Sequence, residues 1–378
     1  MTENSIKLNQ ILNSFIKLKG SDLHIRSDSV PYIRLHGKLR PLSDDNIVLT
    51  SQQIKEFAYL LMNDEQKKRF EIKKECDLGY DFDEYSRLRI NIFHQKGLIN
   101  IAIRYIPKVI PKKEELSLPD TVYKLAENTR GLLLVTGPAG SGKSTTLASI
   151  IDHINSTRAA HIITIEDPIE FVHKENKSII AQREIGIDTL TFVDALRHVV
   201  RQNPDVILIG EMRDLETVQA ALTAAQLGHF VLSTLHTIDA VQTINRIIDL
   251  FPPYQQEQIR LQLADTLKGI IAQRLIPLKS EQGLIPAVEI LVTTPAIKKC
   301  IEEKNFSDII TNMKQGQFYG MRTFNQALLE LYKKEKISLN DALQAATSPE
   351  DLMLAIKGIE GTSGNTQSNI FERFNKKF

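Results

Sequence analysis

Cysteine is nearly missing from this chain, with two among 378 residues, Cys76 and Cys300, far apart and without a CxxC companion. That excludes a disulfide framework and a cysteine-built zinc site, and makes a reducing cytoplasm the expected compartment. Long hydrophobic runs are lacking too, since no stretch approaches the roughly 18 apolar residues that a membrane span requires. The amino terminus, Met1-Thr-Glu-Asn-Ser, has neither the basic region nor the apolar core of a signal peptide. A soluble, unexported protein without direct membrane insertion is expected. Charge of one sign is the third absence. Lys plus Arg number 47 against 46 Asp plus Glu, a formal charge of +1. No global field therefore draws the chain to an anionic surface, and no nucleic-acid partner is expected.

What is present is an ordinary globular balance, 42% hydrophobic and 25% charged, which leaves no reason to invoke bulk disorder. A chain of 378 residues exceeds what one hydrophobic core usually organises, so two domains are expected. No internal repeat is visible. Over residues 1–106, short alternating segments such as Tyr32-Ile-Arg-Leu-His, Arg87-Leu-Arg-Ile-Asn-Ile-Phe and Ile99-Asn-Ile-Ala-Ile-Arg-Tyr-Ile read as strands with one apolar face. Helical patterns at 6–18 and 51–70 flank them, which suggests a small α+β domain. Residues 107–119 carry Pro107, Pro111 and Pro119 beside Lys112, Lys113, Glu114 and Glu115, a composition that suits a solvated connection.

From residue 120 to about 360 strands and helices alternate. Near-continuous apolar runs at 132–135, 161–165, 206–209 and 230–232 read as buried parallel strands. Helices are expected at 143–153, 192–202 and 214–227, giving a doubly wound, mostly parallel α/β sheet. Beyond about residue 254 the pattern reads as mostly helical, ending in helices at 323–334 and 339–346, and 361–378 reads as a flexible tail.

The segment Gly137-Pro-Ala-Gly-Ser-Gly-Lys-Ser144 follows an apolar strand and opens a helix, the context in which G-x-x-x-x-G-K-S/T forms a phosphate-binding loop. Gly137, Gly140 and Gly142 let the backbone curl, so that N–H groups, including that of Ser141, point at phosphate beside a helix N-terminus. Lys143 supplies charge to the β- and γ-phosphates of ATP. Ser144 is the expected ligand of Mg²⁺, with Thr145 in the same first turn.

Hydrolysis also needs a group that orients water. Glu166 and Asp167 end one apolar strand, and Glu211 follows another after Gly210. Ligands of open α/β sheets collect at the carboxyl ends of strands, where these acids fall. Glu211 is the expected general base and Glu166 a second catalytic acid. Gly210 stands where the usual magnesium-binding motif has Asp, so the metal leans on Ser144 and water. His236, just past a third apolar strand, could reach the γ-phosphate or report it to the next element. His229 is a further candidate.

Together these boxes resemble the secretion and pilus ATPase superfamily, most closely its type IV pilus retraction ATPases of the PilT and PilU kind. The likeness covers nearly the whole chain. Ser21-Asp-Leu-His-Ile-Arg and Pro31-Tyr-Ile-Arg-Leu-His-Gly-Lys are similar to the family's amino-terminal PAS-like domain, and Arg87 to Gln95 to its R-F-R-V-N-x-F-x-Q segment. Residues 163–173 resemble its Asp box, 205–217 its atypical Walker B with Gly before Glu, and 223–237 its His box. The resemblance implies a RecA-like ATPase domain assembled as a homohexamer on the cytoplasmic face of the inner membrane. A pilus platform protein and a paralogous retraction ATPase are the implied partners. It also implies that each nucleotide lies between the PAS-like and RecA-like domains, that Arg89 and Arg104 match arginines donated toward phosphate, and that closure is the power stroke. One segment departs from the pattern. Where retraction ATPases carry A-I-R-N-L-I-R-E, this chain has Ala296-Ile-Lys-Lys-Cys-Ile-Glu-Glu303. Residues 320–332 resemble the PilU-like end, which implies an accessory motor.

Three competing readings differ in what they demand. Pilus-extension and type II secretion ATPases carry a four-cysteine zinc module that two cysteines cannot supply. A RecA-like nucleic-acid translocase demands a basic groove. A non-hydrolysing nucleotide sensor demands that Glu211 be dispensable.

Overall fold

The computed structural model describes residues 3–35, 38–43, 47–83, 86–107, 110–280 and 283–359. The tail expected at 361–378, and His36 and Gly37 of the amino-terminal motif, lie outside them. Contacts divide the chain into two units, one of residues 1–115, 126–133 and 144–235, the other of 116–125, 134–143 and 236–378.

In the first unit, α1 (Glu3–Lys17) precedes β1 (Asp22–Ile25), β2 (Tyr32–Leu35) and β3 (Lys38–Pro41), and α2 (Ser51–Leu61) and α3 (Asp64–Lys73) precede β4 (Glu75–Asp81), β5 (Ser86–Gln95) and β6 (Leu98–Pro107). These strands form a six-stranded antiparallel sheet ordered β3-β2-β1-β6-β5-β4. The period-two pattern sets its faces: Leu23, Ile33, Leu88, Ile90 and Ile103 are buried with Leu12, Phe15, Phe57 and Phe70 of the three helices. The helix expected over 51–70 is two. Asn63 starts the second, accepting from Gln66 N–H at 2.8 Å while the Gln66 side chain accepts from Asn63 N–H at 2.9 Å. That reciprocal cap ends one helix and begins another.

The remaining elements are α4 (Asp120–Ala126), β7 (Gly131–Thr136), α5 (Lys143–Thr157), β8 (His161–Glu166), β9 (Ile179–Glu184), α6 (Phe192–Val199), β10 (Val206–Ile209), α7 (Leu215–Gln226), β11 (Phe230–Leu235), α8 (Ala240–Asp249), α9 (Pro253–Thr266), β12 (Leu267–Pro277), β13 (Leu284–Val292), α10 (Pro295–Glu302), α11 (Phe306–Gln315), α12 (Phe324–Lys333), α13 (Leu339–Ala345) and α14 (Pro349–Ile356). Their sheet runs β13-β12-β7-β11-β10-β8-β9. In the first unit β11, β10, β8 and β9 are parallel neighbours. β7, β10 and β11 are buried along their full length, as unbroken apolar runs require when both faces are covered. The expected strand at each run is present.

In the second unit the chain beyond residue 254 is mostly helical, as expected, and α12 and α13 fall where the pattern placed them, but two strands stand among the helices that the pattern did not show. β12 and β13 form an antiparallel ladder from Gly269↔Val292 to Pro277↔Leu284. Most of β12 is buried on both faces, so its apolar residues show no alternation and resemble a helix segment in sequence. No helix among the described residues is long and apolar enough to cross a membrane.

Candidate active site

The loop between β7 and α5 is shaped by glycine. Gly137, Gly140 and Gly142 adopt φ of +147°, +77° and +87°, values L side chains rarely tolerate. Two of them are also enclosed: a Cβ on Gly137 would lie 2.4 Å from Gln273 O, and one on Gly142 2.8 Å from Gln273 Nε2. Inside the curl, the Lys143 ammonium is buried and donates to Gly137 O at 2.8 Å and Pro138 O at 3.0 Å. Ser141 Oγ is buried without a protein partner. A cradle lined by an ammonium, an orphan hydroxyl and the first amides of a helix fits a phosphate chain. Ser144 and Thr145 follow in the first turn of α5, both partly exposed. No group of three or more His, Cys, Asp or Glu side chains among the described residues is placed to hold a metal ion. The donor set suits Mg²⁺ that arrives on phosphate and takes one hydroxyl from the protein.

In the first unit, the register Ile209↔Ile165 brings the carboxyl ends of β10 and β8 side by side. Gly210 N–H donates to Ile165 O at 2.8 Å, and a Cβ on Gly210 would lie 3.3 Å from that oxygen and 3.4 Å from Glu166 Cα. Crowding at this strand end is a physical reason for glycine where an aspartate is usual. Thr234 Oγ1 donates to Gly210 O at 2.7 Å, and Met212 N–H to Thr234 O at 3.1 Å. Those two bonds fix the turn that carries Glu211. The Glu211 carboxylate meets Arg213 Nε at 2.8 Å, an arginine whose side chain is 66% exposed and so able to leave.

Glu166 accepts from Thr164 Oγ1 at 2.7 Å, Gln182 Nε2 at 3.2 Å and Glu170 N–H at 3.4 Å. Burial raises its carboxyl above the ordinary range, and these three donors oppose the rise. Asp167, its neighbour, is exposed. The two acids therefore part, and only Glu166 is built into the strand end. Thr164 and Gln182 were not singled out from sequence. Both are polar residues inside strands, which is a signal: Thr164 shares a face of β8 with Glu166 two residues on, whereas only the β8–β9 pairing shows what Gln182 serves.

Arg89 and Arg104 lie directly opposite each other on β5 and β6. They share the face away from the apolar core. Arg89 Nη1 is 3.4 Å from Glu170 Oε1, and Arg104 Nε is 3.1 Å from Asp22 Oδ1. A third arginine was missed. Arg87 is buried and donates to Glu184 at 3.1 Å, Asp81 at 2.9 Å and Ile169 O at 2.9 Å, binding β5 to β9 and to the segment after Glu166.

His236 is exposed immediately after β11, at the carboxyl end of that strand. His229 precedes β11, and its Nδ1 is 2.7 Å from Pro204 O. It lies at the amino end of β11, whereas Glu166 and Glu211 lie at the carboxyl ends of β8 and β10, and its contact ties two loops together.

Three comparisons bear on this arrangement. A family model described as "Type II/IV secretion system protein" matches residues 3–309. The chain is similar to the type IV pilus retraction ATPase PilT of Pseudomonas aeruginosa, 41% identical over 91% of this chain and 99% of that protein. It is similar as well to the type IV pilus ATPase PilU of the same organism, 38% identical over 93% and 92%. Among solved structures it matches a crystal structure of the pilus retraction motor PilT with bound ADP, with a TM-score of 0.84 and 43% identity over 91% of this chain and 98% of that one.

Proposed function

The chain belongs to the type II/IV secretion system protein family, and from that premise we propose that it is a homohexameric motor that hydrolyses ATP to retract type IV pili. It is an ATPase with the family's α/β fold. The observation that carries the finer reading is the glycine-shaped loop from Gly137 to Lys143 in a chain that matches nearly the full length of a pilus retraction ATPase.

The chemistry assigned to each residue follows from its placement. Lys143 and the amides of residues 140–144 hold the phosphates, the ammonium exchanging Gly137 O and Pro138 O for phosphate oxygens. Mg²⁺, held by the Ser144 hydroxyl and water, would neutralise charge on the β- and γ-oxygens. Glu211 accepts a proton from the attacking water once Arg213 has released it. Glu166, fixed by Thr164 and Gln182, orients the water shell. His236 is the candidate reporter of the γ-phosphate. Arg89 and Arg104, held by partly exposed carboxylate pairs, are the groups that can be redirected to phosphate during the stroke. Residues 1–106 serve as the PAS-like domain, 107–119 as connection and 120–360 as the ATPase domain. The partners are a pilus platform protein and a paralogous retraction ATPase, on the cytoplasmic face of the inner membrane.

One observation favours a second reading, an accessory motor. On α10, Ile297, Cys300 and Ile301 are buried. On the polar face Lys298 pairs with Glu302 and Lys299 with Glu303, each at 3.8 Å, and Lys298 also pairs with Asp265 of α9. Deleting the gene and counting surface pili separates the possibilities. Retraction predicts excess pili without twitching, an accessory role predicts normal pilus numbers with weakened twitching, and loss of pili overturns both.

A further inference from the structure

Each loop peptide that aims its N–H at phosphate turns its carbonyl outward, because C=O and N–H of one trans peptide point in opposite directions. Those outward carbonyls need partners. At the most pliable position of this loop the partner is a side chain 132 residues away: Gln273 Nε2 donates to Ser141 O at 2.7 Å. The peptide that carries Ser141 O also carries Gly142 N–H. Gly142, at φ +87°, puts little steric resistance in the way of a peptide flip, which would aim Ser141 O at phosphate and withdraw the amide.

Gln273 is mounted to prevent that. It is 3% exposed and lies mid-strand in β12, opposite Val288 of β13. Its own carbonyl closes on Gly137, so one residue borders the first and last glycines of the loop. Arg274, whose side chain leaves the other face of β12, donates to Ala345 O and to Ile238 O and lies over the Phe324 ring at 4.0 Å from its centroid. Those contacts hold the strand against sliding. A donor on a ladder anchored from both faces keeps its geometry with or without ligand.

We propose that Gln273 is a positioning residue of the phosphate-binding loop: by donating to Ser141 O it holds Gly142 N–H turned inward, ready for phosphate. The inference rests on the nucleotide-binding reading of residues 137–144.

The test uses the full chain with Gln273→Met, which keeps volume and loses the donor, and Gln273→Glu. Each is titrated at equilibrium with a fluorescent ADP analogue, and its melting temperature is measured without nucleotide. Gln273→Met should bind about tenfold more weakly, the fold-change of one buried hydrogen bond. KM for ATP should rise by a similar factor while kcat stays within about twofold, the signature of lost uniform binding. Gln273→Glu should bind more weakly still at about pH 8, where a carboxylate cannot donate. Should the methionine variant not fold, the affinity of the glutamate variant decides alone. Wild-type affinity in either variant overturns the proposal. So does a lowered melting temperature with unchanged affinity, which would assign Gln273 to packing. Failure of the unaltered chain to bind the analogue is a different result and strikes the functional reading itself.

Discussion

Glycine in the phosphate loop serves two needs, backbone conformation and space, and the three residues separate them. Gly140 adopts φ +77° with nothing within 4 Å of an added Cβ, whereas Gly137 combines φ +147° with the Gln273 carbonyl at 2.4 Å. Gly140→Ala should cost about 1–2 kcal/mol of backbone strain and keep measurable nucleotide affinity. Gly137→Ala must displace the loop or β12 and should lose binding altogether. Equilibrium titration with ADP checks the order, and equal losses would show that the enclosure by Gln273 is not what selects glycine at 137. At this scale the sequence was legible where a residue's role depends on near neighbours. Lys143 could be placed by the spacing of the glycines before it, and Glu166 and Glu211 because each sits at the end of an apolar run. Gln273, Gln182 and Arg87 could not, because strand order decides which side chain meets which loop. His229 lies at the amino end of β11, with its Nδ1 on Pro204 O, away from the strand ends that carry the acids.

Among the elements, unbroken apolar runs and helices with side-chain caps were legible. α6 and α7 begin after Thr191 and Asp214, which accept from Asp194 N–H at 3.0 Å and Thr217 N–H at 2.8 Å. The β12–β13 ladder was not, since a strand buried on both faces loses the alternation that identifies strands. β13 carries a polar residue that explains how the helices after it are held. Glu289, buried opposite Ala272 of β12, accepts from Ala240 N–H at 2.9 Å and Phe324 N–H at 3.2 Å, the first residues of α8 and α12. Burial pushes its carboxyl up to about 7, opposed by those two N–H groups and by Arg274 and reinforced by Asp239. The folded chain therefore holds this proton more tightly than the unfolded one, where the group titrates near 4.5. Its contribution to stability is complete below the unfolded value and is lost as pH rises through the folded one. Urea denaturation between about pH 5 and pH 7 should show stability falling with pH, and a shallower fall in Glu289→Gln. An unchanged slope in that variant would remove Glu289 as its source.

For the whole molecule, near-neutral charge and scarce cysteine excluded classes of protein, and the concurrence of boxes along the chain pointed to one. Composition alone could not have separated a pilus motor from any other ATPase of similar size. Direction of force depends on what the motor grips, and in this chain the departure at Lys298–Glu303 is the feature that bears on it. The central claim is simpler: the loop at Lys143 grips ATP, and Glu211 readies water to break it. Phosphate release by the purified chain with Mg²⁺ and ATP, measured beside equilibrium ATP binding, tests it most directly. The account predicts turnover by the unaltered protein, neither binding nor turnover in Lys143→Ala, and binding without turnover in Glu211→Gln. Turnover in Glu211→Gln equal to that of the unaltered chain, or no ATP binding by the unaltered chain, would contradict it.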